Sequence, residues 1–262
     1  MRKLVLVFFL STSASIFASD VICGGYGHSA VLTSERKVVA WGSNGSGETR
    51  VPSSLTDVVQ VAAGGYQTIA LKSDGRIVHW GDSRYNAVIP AELQGNTWQI
   101  AAGGYHAIAL KKDSTLAGWG TALIFGLENI PTGKVIRIRS GMHTMAAIMA
   151  DSTVQAWGYG GEHDYSGTVP ADLREVVDVA VGRKFILALK KNGTVVALGE
   201  PQSMPEIAQM PVGLKARAVA GGDGFGVAVR TDGTVVQWGT IPSGVSMPAN
   251  LTDIIDVAAG RY

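Results

Sequence analysis

The sequence predicts an all-β protein made of small sheets that stack around a common axis. First, a glycine recurs about every 39 residues through nearly the whole 262-residue chain. These anchor glycines are Gly25, Gly64, Gly103, Gly141, Gly182, Gly222 and Gly260. Second, β-branched, aliphatic and Trp-Gly positions keep nearly fixed distances from each anchor. Third, Asp-Gly or Asn-Gly dipeptides recur between apolar runs. Repeats of this length, too small to bury both faces of a sheet alone, predict a β-propeller.

The residues before each anchor predict the first strand of every repeat. A β-branched residue stands three positions before all seven anchors: Ile22, Val61, Ile100, Ile138, Val179, Val219 and Val257. Such residues suit a pleated, half-buried surface. The run VVQVAAG that ends with Gly64 therefore predicts a short strand leading into the anchor.

A predicted hairpin follows each anchor. Seven positions after the anchors stand Leu32, Leu71, Leu110, Ile148, Leu189 and Val229, and sixteen after them stand Trp41, Trp80, Trp119, Trp157, Leu198 and Trp238. Because five of the six tryptophans occupy one column, we expect them to be structural. The dipeptides between the two strands predict type I′ turns. They are Asp74-Gly75, Asn192-Gly193 and Asp232-Gly233, with Asp113-Ser114 and Asp151-Ser152 in the same place.

A Val-Pro or Ile-Pro pair follows in four repeats, at 51–52, 89–90, 130–131 and 169–170. Because proline lacks the amide N–H, this pair predicts a short outer edge strand. Each repeat should then hold three or four antiparallel strands. Six complete repeats and the first strand of a seventh leave two interpretations open: a truncated seven-bladed propeller, or six blades that close with a redundant final strand.

The repeat resembles that of the regulator of chromosome condensation family, whose members are seven-bladed propellers. The resemblance rests on the pattern V-A-A-G-G-x-H-x-x-A-L-x-x-D-G-x-V-x-x-W-G-x-N-x-x-G-Q and covers roughly residues 20–262. The stretch VVAWGSNGSGETRVPSSL is most similar to the bacterial secreted branch, which includes beta-lactamase inhibitory protein II. The chain departs from the pattern at Leu198, which replaces a tryptophan, and at 142–144, which replaces Gly-x-His.

The first 19 residues predict a secretory signal peptide, because the basic pair Arg2-Lys3 precedes an apolar run and then small residues. Cleavage near Ser19 would leave the propeller at 20–262 and no membrane span. We therefore expect a secreted, periplasmic or cell-envelope protein. Loss of Arg2 and Lys3 reduces the 22 basic residues to 20, against 21 acidic residues, a formal charge of −1. Such a surface has no electrostatic attraction for nucleic acid.

No pattern in the sequence indicates a catalytic residue, a cofactor or a metal site. His28 and His106 share one column, but its other members are Gln67, Thr144, Phe185 and Phe225. We interpret these histidines as structural, each making a local hydrogen bond near a turn. His143, Glu162, His163 and Asp164 form the one His/carboxylate cluster, which lacks the spacing of a metal site. The lone Cys23 is interpreted as buried and inert.

The first two residues after each anchor vary while their neighbours stay fixed. Because the repeats are equivalent, these loops should form a ring on one face of the propeller. Tyrosine, methionine and arginine are enriched at protein interfaces. The resemblance implies that the secreted inhibitor grips its target with aromatic residues of this loop. The predicted partner-binding residues are Tyr26, Tyr66, Tyr105, Met142, His143, Arg183, Lys184, Asp223, Arg261 and Tyr262. Alternatively, these are ordinary loop residues, with tyrosines that cap the central channel.

The sequence favours a non-enzymatic protein-binding propeller, expected to be monomeric and to need no cofactor. A glycan-binding or hydrolytic propeller would instead use the channel mouth, where the available polar groups are His143, His163, Asp164 and Asp223. A guanine-nucleotide exchange factor, like the founding member of the family, fits the repeat but conflicts with the signal peptide.

Overall fold

The computed structural model describes residues 21–82, 88–120, 127–158, 169–183, 185–199, 209–241, 247–248 and 251–260. They form six antiparallel sheets, each made of three consecutive strands. The strands are β1 Ile22–Gly24, β2 His28–Leu32 and β3 Val38–Gly42; β4 Val58–Ala63, β5 Gln67–Lys72 and β6 Ile77–Gly81; β7 Thr97–Ala102, β8 His106–Lys111 and β9 Leu116–Gly120; β10 Val135–Ser140, β11 Thr144–Met149 and β12 Val154–Gly158; β13 Val176–Val181, β14 Phe185–Lys190 and β15 Val195–Gly199; β16 Ala216–Gly221, β17 Phe225–Arg230 and β18 Val235–Gly239. Short 3₁₀ turns at Ala91–Leu93 and Leu127–Asn129 precede β7 and β10.

The predicted repeat columns occupy the core. All seven β-branched residues three positions before the anchors are buried, and so are all six aliphatic residues seven positions after them. Neighbouring sheets share their apolar clusters: Ile69 and Leu71 of one sheet lie in a cluster with Ile100 and Trp119 of the next. This inter-sheet packing confirms the prediction of an all-β propeller.

The tryptophan column is structural, as predicted. Trp80, Trp119, Trp157 and Trp238 are buried, whereas Trp41 is half-buried. In two sheets, the residue that pairs with this column on the neighbouring strand has a size that complements it. Gly226 pairs with Trp238, whose ring would lie 2.3 Å from a Cβ added to that glycine, and Ile186 pairs with Leu198. The fifth repeat thus has two aliphatic side chains where the sixth has a glycine and a tryptophan.

The predicted hairpin turns are in the right places, but the predicted turn type is wrong. Only the second residue of each dipeptide has a positive φ, for example 86° at Gly75 and 68° at Ser114. A type I′ turn needs two such residues, whereas a three-residue loop needs one. The Asp or Asn preceding this residue accepts a hydrogen bond from the amide two positions later, as Asp74 does from Arg76. That bond explains why Asp-Ser serves as well as Asp-Gly.

The prediction of an edge strand at the Val-Pro and Ile-Pro pairs is also wrong. No fourth strand occurs in any sheet of the described residues. Instead, in three of the four pairs, the proline carbonyl accepts a hydrogen bond from a leucine three positions later: Pro52 from Leu55, Pro90 from Leu93 and Pro170 from Leu173. This turn places the leucine against the core; Leu93, for example, is completely buried. The proline therefore begins a tight turn that closes the edge of the core.

The anchor glycines form a closed ring around the axis. A Cβ on Gly25 would lie 2.3 Å from the carbonyl oxygen of Gly64, and one on Gly64 would lie 2.4 Å from that of Gly103. Residues 251–260 complete the ring between the sixth and first sheets, since a Cβ on Gly260 would lie 2.6 Å from the oxygen of Gly25. Seven inner segments therefore surround the axis, although only six carry a three-stranded sheet among the described residues.

Candidate functional site

The loops after the anchors form a ring on one face, as the sequence predicts. Backbone hydrogen bonds join four pairs of neighbouring loops, each from an amide of one loop to a carbonyl of the next. They run from Tyr26 to Gly64 (3.2 Å), Gly65 to Gly103 (3.0 Å), Gly104 to Met142 (3.2 Å) and Arg183 to Gly222 (3.2 Å). These four bonds link neighbouring loops on both sides of the ring and support its shape without a ligand. We call this surface the glycine face.

The two variable positions of each loop differ in location, which the sequence does not reveal. The first position lines a cavity of about 80 Å³ at the channel mouth, with Tyr26, Gly65, Gly104, Met142, Arg183 and Asp223 around it. The second position lies outside this cavity, with Tyr66 36% exposed and with Tyr105 and His143 half-buried. The first column therefore surrounds the mouth, while the second lies outside it.

Three of the predicted tyrosines form one aromatic cluster. The rings of Tyr26 and Tyr66 meet edge to face at 5.6 Å, and those of Tyr66 and Tyr105 stack at 5.5 Å. The Tyr26 hydroxyl would lie 3.0 Å from a Cβ on Gly104, so this side chain reaches across the mouth toward the third loop. Tyr26 therefore caps the channel, whereas Tyr66 is exposed. The interpretation that tyrosines cap the channel thus applies to Tyr26, whereas partner binding by Tyr66 and Tyr105 stays a prediction.

Opposite charges flank the mouth between the fifth and sixth loops. The guanidinium of Arg183 lies 3.3 Å from Asp223 Oδ1. Because the arginine side chain is 42% exposed, this pair contributes little to stability. The pair places both charges at the mouth, on the fifth and sixth loops. The glycine face thus combines a rigid apolar surface with a fixed ion pair, which suits a protein surface of mixed polarity.

Several predicted residues lie outside the described residues. Lys184, Arg261 and Tyr262 of the predicted binding set are among them, and so are Glu162, His163 and Asp164. No group of three or more His, Cys, Asp or Glu side chains that could hold a metal ion occurs in the described part of the chain. In the same part, no helix is long and apolar enough to cross a membrane.

The histidine column is structural, but its hydrogen bonds are not local. His28 Nε2 lies 2.9 Å from Thr68 Oγ1 in the next repeat, and His106 Nε2 lies 2.9 Å from Ser140 Oγ. Thr68 donates its own proton to the carbonyl of Glu48, so its oxygen accepts from His28. These histidines join neighbouring repeats beneath the glycine face, and the prediction of a local bond is wrong.

The histidine column predicts a pH dependence of stability. Burial is the main cause that lowers the pKa of His106, to about 3, so the folded protein keeps this ring neutral. Between about pH 6.5 and 3 the unfolded chain therefore binds a proton that the folded chain does not, and stability falls as the pH drops. When the pH falls from about 6.5 to 4.5, the free energy of unfolding should decrease by roughly 2 kcal/mol more in the wild type than in His106→Gln.

Glutamine is the matched replacement because Gln67 occupies this column in the preceding repeat, where it is buried and donates to the carbonyl of His106. Urea unfolding at several pH values measures the difference. If the free energy of unfolding fell equally with pH in the wild type and in His106→Gln, His106 would titrate in the folded state as it does in the unfolded chain.

Cys23 lies apart from the glycine face. Its side chain is half-buried, where full burial was predicted, and its Sγ lies 3.6 Å from the carbonyl oxygen of Ala30. Desolvation raises the pKa of the thiol to about 12. An un-ionised thiol is a poor nucleophile, in agreement with the predicted lack of reactivity.

These features define a repeat propeller with one bonded ring of variable loops. Comparison with known proteins gives the kind of repeat. Residues 21–48 and 58–87 match the regulator of chromosome condensation (RCC1) repeat. No curated protein matches the chain in sequence.

Solved structures share the fold at low sequence identity. The ectodomain of the receptor kinase ACR4 from Arabidopsis thaliana is 21% identical, with a TM-score of 0.74 over 92% of this chain and 90% of that one. The ectodomain of the receptor kinase CR4 from Physcomitrella patens is 19% identical, with a TM-score of 0.77 over 92% and 68%. Prp20p from Saccharomyces cerevisiae is 20% identical, with a TM-score of 0.64 over 92% and 80%. The chain is a β-propeller that carries RCC1-like repeats at residues 21–48 and 58–87.

Proposed function

We propose that this chain is an exported, non-enzymatic propeller that binds another protein through the glycine face. The observation that carries the proposal is the aromatic cluster of Tyr26, Tyr66 and Tyr105, held on loops that bond to one another. Exposed tyrosine in a rigid setting is well suited to binding, because few rotamers are lost on docking.

The size of the mouth favours a protein over a small ligand. Sites for small molecules usually enclose about 300–1,000 Å³. The cavity inside the ring is about 80 Å³, and Tyr26 lies across it. Tyr66 and Tyr105 lie outside the mouth, where a larger partner can contact them. A glycan-binding or hydrolytic site at this mouth is correspondingly less well supported.

Related folds support a protein partner. Prp20p is described with binding properties to Gsp1p and histones, and the yeast protein has been crystallised with Kap60. For this chain, export is proposed from the first 19 residues, which lie outside the described residues. Mass spectrometry of the purified protein tests export, since a retained Met1 would contradict it.

Replacing Tyr66 and Tyr105 together with alanine should weaken binding by about 30-fold or more, or about 2 kcal/mol, because the two stacked rings lie outside the mouth. The partner is first captured from culture medium or cell envelope with the wild-type protein and is then titrated against the variants. The double substitution should also lower stability by about 1–2 kcal/mol, since it removes a stacked pair.

Two controls separate binding from folding. The double Tyr→Phe variant keeps both rings and should bind within a few-fold of wild type. Replacing His28 and His106 with glutamine alters the contacts beneath the face and should leave affinity unchanged. Full affinity in the alanine variant would refute the proposal, and so would capture of a glycan in place of a protein.

A further inference from the structure

A second exposed surface recurs at one position of the inner strands. Five residues before the anchors of the second to sixth repeats the inner strand bulges, with register shifts at Val58/Gln60, Thr97/Gln99, Val135/Arg137, Val176/Asp178 and Ala216/Ala218. The residues at this position in repeats two to seven are Val59, Trp98, Ile136, Val177, Arg217 and Ile255. Trp98 is 72% exposed, Ile136 54%, Val177 43% and Ile255 41%, while Val59 is half-buried and packs partly against the core. We call these six residues the apolar annulus.

The apolar annulus lies on the face opposite the glycine face. Its members stand near the start of each inner strand, and the anchors follow the end, roughly 16 Å away at 3.3 Å per residue. The inner strands surround the channel, so the six positions encircle its other opening. No residue of the annulus belongs to the proposed binding site.

The strands that carry the annulus are fixed to one another by side chains. Gln60 both donates to and accepts from the backbone of Ile100, and Gln99 accepts from the amide of Ile138. Arg137 lies 3.0 Å from Asp178 of the next repeat. Each of these residues directly follows a member of the annulus or lies close to it in the strand. The apolar side chains are therefore held in position before any partner arrives, which lowers the entropic cost of docking.

Folding of the chain does not account for these side chains. A tryptophan and three aliphatic residues expose two-fifths or more of their surface at equivalent positions, while the adjoining hairpin turns are polar. Recurrent exposed apolar groups with a polar rim are typical of an interface. Arg217 is the exception, and its guanidinium donates to the carbonyl of Ile254 in the next repeat.

Charges of both signs surround the annulus. The position two residues before each member of the annulus lies at the start of the inner strand. Its residues are Asp57, Asn96, Lys134, Glu175, Lys215 and Asp253. Among the described residues, none of the five charged side chains forms an ion pair. The signs change from repeat to repeat, so a rotated copy of the same face can place opposite charges together.

We propose that a second copy of this chain binds the apolar annulus, face to face. A two-fold axis reverses the order of the repeats in the second copy. The repeat that lies on the axis therefore contacts the same repeat of the other copy, and the repeat before it contacts the repeat after it. With the third repeat on the axis, Trp98 packs on Trp98 of the second copy and Val59 packs on Ile136. The same register places Asp57 opposite Lys134, and Lys215 opposite Asp253. Each of these ion pairs occurs twice in the dimer.

Shape and area also favour a second copy. A ring of apolar side chains matches another ring of equal diameter, whereas an extended peptide would contact only an arc of it. Stable interfaces bury about 800 Å² per partner, and large apolar side chains supply much of this area. Coaxial pairing covers all six annulus positions together with the adjacent turns, while the glycine faces of both copies remain open.

Sedimentation equilibrium of the purified full chain at up to about 100 μM tests the proposal, since weak interfaces assemble in this range. The wild type should be a dimer. Trp98→Glu should weaken dimerisation by about 30-fold or more, because it places two carboxylates on the axis. Val39→Glu is the matched control, since Val39 is 49% exposed but lies on the outer strand of the first sheet.

Charge reversal tests the register. Lys134→Glu should weaken the dimer because it sets an anion opposite Asp57, and adding Asp57→Lys should restore it. A monomeric wild type, or a dimer indifferent to Trp98→Glu, would overturn the proposal. A monomer that instead binds phosphatidylglycerol vesicles through Trp98 would also overturn it and assign the surface to lipid. Tyr66→Ala should dimerise like wild type, which separates this test from that of the proposed function.

Discussion

Replacing Gly64 with alanine should lower the free energy of unfolding by about 3 kcal/mol, because the added methyl group has no room. The new Cβ would lie 2.4 Å from the carbonyl oxygen of Gly103 in the next repeat. That oxygen belongs to the backbone and itself accepts a hydrogen bond from Gly65, so it cannot move without opening the ring. Chemical denaturation followed by circular dichroism measures the loss.

Gly45→Ala is the matched control. This glycine is exposed in the loop after β3, and an added Cβ would meet no atom within 4 Å. Its substitution should change stability by less than about 1 kcal/mol, with stabilisation possible because the unfolded chain loses freedom. Equal losses in the two variants would contradict the claim that the anchor glycines are required by close contact between repeats.

Trp157→Ala should cost about 3–5 kcal/mol, because it removes a buried aromatic from the contact between two sheets. Trp157 is 3% exposed and lies in a cluster with Ile108 and Leu110 of the preceding sheet. Both partners come from another repeat, so the cavity would loosen the contact between repeats as well as the sheet itself. Urea unfolding gives the size of the effect.

The first repeat supplies the comparison for this substitution. Trp41 has the same place in its sheet but is only half-buried, so Trp41→Ala should cost about half as much. A loss below about 1 kcal/mol for Trp157→Ala would show that the column is not structural. An equal loss of stability in Trp157→Ala and Trp41→Ala would show that packing against the preceding sheet does not determine the size of the loss.

The fold could be predicted because every repeat samples the same environment. The position occupied by Val61 recurs seven times, always β-branched and always buried, so the periodic signal exceeds local variation. The replacement at Leu198 did not disturb the prediction, because the other columns continue through the fifth repeat. Turn positions were predictable for the same reason.

The features that sequence reasoning missed are contacts between repeats. The partner of His28 is Thr68, 40 residues away, and the backbone bond of Tyr26 is to Gly64. A pattern within one repeat cannot show which residue of the next one lies opposite. The turn type was wrong because a dipeptide alone does not fix the φ of the residue before the glycine. The leucine that follows three of the four prolines, as Leu93 follows Pro90, was missed because it lies outside the strongest columns.

The candidate site was predictable as a ring but not in its detail. Variation beside fixed residues identified the loops, and the structure brings Tyr26, Tyr66 and Tyr105 into contact. The two variable positions look alike in sequence, yet one lines the mouth and the other faces outward. The exposed column that contains Trp98 was overlooked because a bulge places a residue outside the two-residue alternation of a strand.

The most direct test of the proposed function is photo-cross-linking from each face of the propeller. A photoreactive phenylalanine analogue replaces Tyr66 on the glycine face in one protein and Val177 on the opposite face in another, and each is irradiated with the captured partner. The account predicts a partner adduct from position 66 and none from position 177, where the only adduct should be a second copy of the chain. A partner adduct from position 177, with none from position 66, would contradict it.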